Sequence, residues 1–417
     1  MVTLITRCLC VVLLLFVQVA YGNDDNPNYS DNLTGDWMGN RLKLYQNGVD
    51  IEFVYRGDAL YNVAGGFKKG GDGLGNIDLK ILIDGDKLYN LSGSKIFIHF
   101  LNNHGGKPNE KKVLSAQGID NIEVKAAATK LYQAWISQDF FDEKFSILTG
   151  LYDLNSEFYV TPSAGLFIGP TYGIGSEIAV TGVNGPSIFP ATSLAIRTKL
   201  QPTEKLYLQA AIFDAIPGNP NKPKVTNMHL KKKDGALLIT EIGIHSDFGN
   251  YAVGLWKYTK KFDDYVDVNV SNDPLRKISQ GGYAMAEKVL YKHNESTYLT
   301  GFVRVGKANQ SVSMIDHSWS SGLVCHGFIS GRDGSQIGFA VSQANLSKKY
   351  RQAKYDQGFK APKQETSLEF TISDKLTPWL QVQPDVQYIF NPAAPVDLGG
   401  KYLKNAFIIG IKTVITF

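Results

Sequence analysis

Along much of this chain, apolar and polar side chains alternate residue by residue. From Val49 to Arg56, Val49, Ile51, Phe53 and Tyr55 interleave with Asp50, Glu52 and Arg56. From Asn76 to Asp84, Ile77, Leu79, Ile81 and Ile83 oppose Asn76, Asp78, Lys80 and Asp84. The same pattern runs through Ser193–Leu200, Glu365–Ser373 and Gln381–Phe390. At the end of the chain, Phe407, Ile409, Ile411, Thr413, Ile415 and Phe417 share one parity, and five of these six are large and apolar. Successive residues of a strand point to opposite faces. Each stretch therefore predicts a strand with one greasy and one polar face. Further strands are predicted over 95–103, 130–139, 144–152, 205–213, 237–245, 251–258, 283–291, 297–305, 322–329 and 336–343, which brings the count to 16. Ile174–Val180 is a candidate for one more, and Pro384, which cannot donate to a ladder, predicts a bulge.

A half-buried sheet in a water-soluble protein has the same period, with its apolar face inward. The number and regularity of the strands, and the lack of any stretch that would form a second core layer, favour the inverse arrangement. That arrangement is an antiparallel transmembrane β-barrel, all-β, with an apolar outside and a polar lumen. The intervening segments support it by alternating short and long. Asp142-Glu143 and Pro202-Thr203-Glu204 are short turns, whereas 102–128, 153–190, 214–236 and 345–364 are long. An even strand count with short inner turns and long outer loops is the bacterial outer-membrane pattern. Residues 36–47 predict a short helix stopped by Gly48, so 23–48 form an N-terminal periplasmic segment and 49–417 the barrel.

Residues 1–22 change the picture by supplying an address. Arg7 is their only charge, Val11–Val17 is unbroken apolar sequence, and Ala20-Tyr21-Gly22 offers small residues at a cleavage site. This is the pattern of an export signal peptide that is removed. Cleavage leaves 42 basic against 39 acidic side chains and a single cysteine, Cys325. An internal disulfide is then impossible, and the charge balance gives no support for a nucleic-acid partner. No later stretch reaches the 18 apolar residues of a membrane helix. Aromatic residues make up 12% of the chain, with 21 Tyr and 22 Phe, in keeping with interfacial girdles.

Several separated motifs also carry a family resemblance. They are Leu33-Thr34-Gly35-Asp36-Trp37-Met38-Gly39-Asn40-Arg41, Asn62-Val63-Ala64-Gly65-Gly66, Gly75-Asn76-Ile77-Asp78-Leu79, the run from Gly150 to Glu177, and Gln383–Ile389 with Asn391-Pro392. Together they resemble the carbohydrate-selective outer-membrane porins of the OprB type, over Leu33–Phe417, almost the whole mature chain. Met38, Asn40 and the Lys-rich stretch Asn221–Lys233 depart from that pattern. The resemblance implies a 16-stranded barrel in a Gram-negative outer membrane that passes sugars such as glucose by diffusion. No cofactor is expected, and the scattered His residues give no support for a metal site.

A sugar in a pore needs amide and charged groups to replace its water, and aromatic faces to slide along. The inward-parity candidates are Asp50, Glu52, Arg56, Asp78, Lys80, Trp135, Arg197, Lys199, Arg304, Glu365, Glu369 and Asp385, joined by Glu157 from a loop. Arg56, Arg197 and Arg304 are expected to form a basic ladder facing acidic partners. The segment 153–181 is long, aromatic and poor in charge, so it is expected to fold inward and narrow the lumen. Catalytic chemistry has little footing. The seven His are scattered, and neither HExxH nor a Gly-x-Ser-x-Gly elbow occurs. Gly71-Asp72-Gly73-Leu74-Gly75 leads into a strand and reads as a turn. The expected partners are sugars as solutes, outer-membrane lipid, and the barrel assembly machinery through Phe417, with the protein a monomer or homotrimer. The alternatives are a general diffusion porin, a receptor or adhesin with a closed barrel, and a soluble exported lectin.

Overall fold

The computed structural model describes residues 27–226, 228, 230–246 and 249–417, so the predicted signal peptide lies outside the described residues. Two short helical turns, Tyr29–Asp31 and Trp37–Gly39, precede α1 (Asn40–Gln46). The helix predicted over 36–47 is thus divided, because Trp37 and Met38 adopt φ of 49° and 59°. Gly48 stops α1 at φ 86° and donates its N–H to the Tyr45 carbonyl at 2.9 Å.

The chain then runs through β1 (Val49–Gly66), β2 (Gly70–Asp84), α2 (Gly85–Tyr89), β3 (Ser94–Gly105), β4 (Ala128–Phe140) and β5 (Phe145–Tyr152). Next come α3 (Ser176–Ala179), β6 (Ser193–Leu200), β7 (Leu206–Asp214), β8 (Ala236–Ser246), β9 (Gly249–Val268) and β10 (Pro274–Lys292). The last part holds β11 (Tyr298–Ala308), β12 (Ile315–His326), β13 (Gln336–Leu346), α4 (Lys348–Asp356), β14 (Phe359–Lys360), β15 (Gln364–Thr377), β16 (Leu380–Phe390), β17 (Val396–Asp397) and β18 (Lys404–Thr416). β14 and β17 pair only with each other, and the other sixteen strands close into one antiparallel barrel in which β1 pairs with β18. No helix among the described residues is long and apolar enough to cross a membrane, and crossing by strands is a separate matter.

All sixteen predicted strands overlap observed ones, but their ends differ. β1 continues ten residues past the predicted end, β9 extends to Val268, and the strand predicted over 322–329 begins at Ile315. Three local expectations are corrected. Ile174–Val180 is not a strand but contains α3. Gly71–Gly75 lies inside β2, and the turn is Phe67–Lys69. Pro384 makes no bulge: the register Gln383↔Lys412, Pro384↔Ile411, Asp385↔Gly410 runs unbroken. Its carbonyl accepts from the Thr371 hydroxyl at 3.1 Å.

The period-two pattern sorts the wall. Ile136, Ile196, Ile212, Ile242, Val253, Leu255, Val303, Phe339, Phe370 and Ile409 are exposed on the outside. Inside, the packed core lies between the wall and two chain segments that enter the barrel. Leu154, Phe158, Tyr159, Ile174 and Ile178 pack on Phe213, Leu237, Ile239, Trp256, Tyr258 and Tyr283. Ala164, Leu166, Phe167 and Tyr172 pack on Phe302, Val324 and Ala340. Val113 and Ile119, from the β3–β4 connection, pack on Leu60, Ile389 and Ile408.

α1 and Phe417 meet at the short-turn end of the barrel. The Arg41 guanidinium donates to the Phe417 and Ile51 carbonyls, both at 2.6 Å. It also lies over the rings of Tyr29 (4.3 Å) and Trp37 (5.0 Å).

Candidate functional site

The lumen is defined by what fastens the segment between β5 and β6. Inward carboxylates of the wall accept its backbone N–H groups. Glu241 on β8 accepts from the Tyr159 N–H at 2.9 Å, and also from the Tyr207 hydroxyl (2.9 Å), the Gln209 amide (2.8 Å) and the Tyr283 hydroxyl (2.6 Å). Glu287 on β10 accepts from the Ser163 N–H at 2.6 Å. Glu369 on β15 accepts from Ile168 (2.5 Å) and Gly169 (2.9 Å). Arg304 on β11 does the converse, donating to the carbonyls of Tyr172 and, at 3.3 Å, Gly173. Its guanidinium lies 4.7 Å from the Tyr159 ring, which stacks on Tyr283 at 3.8 Å and 7°. Buried backbone without such partners would be costly, so these side chains are what allows an irregular segment to sit inside the barrel.

The β3–β4 connection is held in the same way. Glu365 accepts from the Ser115 hydroxyl (2.6 Å) and from the N–H groups of Ala116 (2.9 Å), Gln117 (3.0 Å) and Ala393 (2.7 Å). Thr171 donates to Gln117 at 3.3 Å, which ties the two inner segments together. In α3, Glu177 receives the Ser318 hydroxyl and is fully enclosed. Gly306 on β11 makes room for it: a β-carbon there would stand 1.9 Å from a Glu177 oxygen. Burial raises the Glu177 carboxyl above its ordinary range.

Opposite this filled wall, β1–β6 carry charged side chains in pairs that join a half-exposed to a buried member. Arg56 pairs with Asp78, which also bonds His99 at 2.8 Å and Asn76 at 2.7 Å. Lys80 meets Glu52 at 2.9 Å, where the Glu52 side chain is 43% exposed and that of Lys80 only 9%. Tyr29 donates to Asp50 at 2.9 Å. Arg197 grips Glu157 with two donors, at 2.7 and 3.1 Å. Burial pushes the Glu157 carboxyl up, but Arg197 and Lys199 outweigh it and hold it below the usual range. Asp153, which accepts from the Tyr132 hydroxyl at 2.5 Å, is pushed up to about 6 by burial.

Between these charges lies an aromatic pair, of which Trp135 is half-exposed and Phe97 is buried beneath it. Phe97 on β3 and Trp135 on β4 are register partners whose rings stack at 5.0 Å and 28°. One row across the sheet runs Asp50, Leu82, Phe97, Trp135, Gly150, and the next runs Glu52, Lys80, His99, Gln133. Gly150, at φ 140°, lets its strand approach Trp135, since a β-carbon there would fall 2.3 Å from the Ala134 carbonyl oxygen. The indole packs against the hydrophobic cluster of the inner segment and lies next to one charged row, an arrangement suited to a solute with an apolar face and a hydroxyl rim.

Of the predicted candidates, Asp50, Glu52, Arg56, Trp135, Glu157 and Lys199 are half-exposed. Asp78, Lys80, Arg197, Arg304, Glu365, Glu369 and Asp385 are buried. Arg56 and Arg197 face acidic partners, Asp78 and Glu157, but the three arginines stand apart on β1, β6 and β11, and Arg304 donates to backbone carbonyls instead. Sequence reasoning missed Phe97, His99, Glu241 and Glu287. Their signal was inward parity on a predicted strand.

The sequence model described as the carbohydrate-selective porin, OprB family, matches residues 68–417. Porin B of Pseudomonas aeruginosa is 24% identical, over 94% of this chain and 92% of that protein. The high-pH structure of Pseudomonas putida OprB superposes with a TM-score of 0.82 at 20% identity, covering 94% of this chain and all of that one. The low-pH structure of the same protein gives 0.61 at 18% identity over the same shares. A closed sixteen-strand barrel whose sequence matches this family over most of its length is a transport channel of the outer membrane, and the chain belongs to the carbohydrate-selective porin, OprB, family.

Proposed function

We propose that this porin passes glucose-like sugars by passive diffusion along the β1–β6 wall, with the segment 153–181 as the constriction opposite it. The observation that carries the reading is the half-exposed Trp135 indole, backed by the buried Phe97 ring and set between Glu52–Lys80 and Glu157–Arg197. The apolar face of a pyranose stacks on the indole while its hydroxyls exchange water for carboxylate and ammonium partners. Such contacts are individually weak, and release is as necessary as entry. The sites are therefore Asp50, Glu52, Arg56, Trp135, Glu157 and Lys199 as the solute path. The buried Arg304, Glu365 and Glu369 set its width through the inner segments.

The export signal over 1–22, cleavage before Asn23, and assembly through the terminal Phe417 belong to the same proposal. The test is single-channel recording while sugars are titrated. Saturable block by glucose, weakened in W135A, supports the reading. Open channels indifferent to sugar would mean general diffusion, and a folded barrel without conductance would mean a receptor or adhesin.

A further inference from the structure

We propose that the outer surface of β8–β11 carries a binding site for a phosphorylated lipid of the outer leaflet. An open groove of about 730 Å³ lies across these strands, lined by Leu238, Leu255, Lys257, Gln280, Gly282 and Lys307 among others. These residues share the outward parity: Leu238 and Thr240 face Lys257 and Leu255 across β8–β9, and Lys307 is paired with Gly282. The groove exists because Gly282, which has no side chain, lies between Leu255 on β9 and Lys307 on β11, its register neighbours.

The charge pattern selects the occupant. On β9 the outward row reads Tyr251, Val253, Leu255 and then Lys257; on β11 it reads Val303, Val305 and then Lys307. Each lysine is the first charge past the apolar belt at the long-loop end, the end that faces outward in barrels of this class. Both are exposed, and no ion pair is made by either among the described residues. The nearby Arg276 is already spent on Asp263 at 2.5 Å. Gln280 adds an amide group at the same level, whereas the Asn309 amide is engaged with the Ile278 carbonyl and the Ser311 N–H.

The Lys-rich stretch lies at the same end of the barrel. Lys231–Lys233 precede β8 by Asp234 and Gly235, and its first residue, Ala236, donates its N–H to the Thr259 hydroxyl of β9 at 2.8 Å. An apolar trough capped by unpaired cations at the interface matches an acyl chain with a phosphate at its head. A second copy of the chain would instead have to leave both lysines against its own apolar belt.

The test uses the folded full-length barrel in mild detergent and native mass spectrometry, with diphosphorylated lipid A as the probe. Dephosphorylated lipid A of the same acylation and phosphatidylcholine are the comparisons. Retention of lipid A over both, weakened about fivefold in K257Q or K307Q and roughly 25-fold in the double variant, is the expected result, since one basic residue near a membrane surface accounts for about that factor. Equal retention of the dephosphorylated lipid, or a double variant that binds like the parent, overturns the proposal. The lipid comparison on the unaltered protein needs no variant, so a substitution that hinders folding leaves it decisive. Sugar-blocked conductance is expected to be unchanged in both variants.

Discussion

At the scale of single residues, parity located side chains but not their employment. Asp50, Glu52 and Arg56 point into the lumen as period two requires, and they remain partly open to it. Glu365 and Glu369 obey the same rule, yet they are sealed under inner segments. Their partners lie 248–250 and 200–201 residues away for Ser115–Gln117 and Ile168–Gly169, and no local pattern records a contact of that span. Two predictions belong here. W135A is expected to raise the half-blocking glucose concentration about tenfold, the loss of one stacked face worth ~1.4 kcal/mol, as read by current titration; an unchanged value would remove Trp135 from the solute path. Asp153 is held up at about 6 by burial, above its ordinary 3.8. Its protonated form is therefore favoured by the fold: the stabilisation is complete below the unfolded value and is lost as pH rises through about 6. Infrared difference spectra should show a carboxylic C=O band titrating near pH 6 that D153N lacks.

Among the elements, the strands were legible and the inner segments only in part. Outward alternation is enforced by lipid along every strand, so all sixteen appear in the sequence. Strand ends were not legible, because β1, β9 and β10 continue past the apolar belt where lipid no longer dictates parity. The outer half of β8 reads Ala236-Leu237-Leu238-Ile239, apolar on both faces, since Leu237 and Ile239 form the bed for Tyr159 and Ile178. This departure from alternation is the local trace of a segment folded inside, and it explains why Glu241 was passed over. The four donors on Glu241 and the clamps on Glu287 and Glu369 make a direct forecast. E369A, which releases Ile168 and Gly169, is expected to raise single-channel conductance about twofold and to admit larger sugars, because pore width is set by what lines the narrowest point. Deleting 162–171 should do so more strongly. A folded barrel with unaltered conductance in both would show that this segment is not the constriction.

Across the whole molecule, closure links the two ends of the sequence. Barrel closure requires β1 to find β18, and Arg41 secures that seam by bonding both Ile51 and Phe417. R41A forfeits charged hydrogen bonds worth about 2 kcal/mol, so the barrel should unfold at lower temperature in a heat-modifiability gel; an unshifted transition would make the seam independent of Arg41. The chain ending on a strand with an aromatic terminus was readable directly. The Arg41 tie was not, because it depends on a helix and a strand 376 positions apart. The central claim is that one lumen wall, β1–β6, is kept open and lined to hold sugar weakly. It is tested most directly by the current through single reconstituted channels as glucose is added. Progressive, saturable closure by glucose, with amino acids at equal concentration having little effect, is the predicted result. A steady current at every sugar concentration would contradict it.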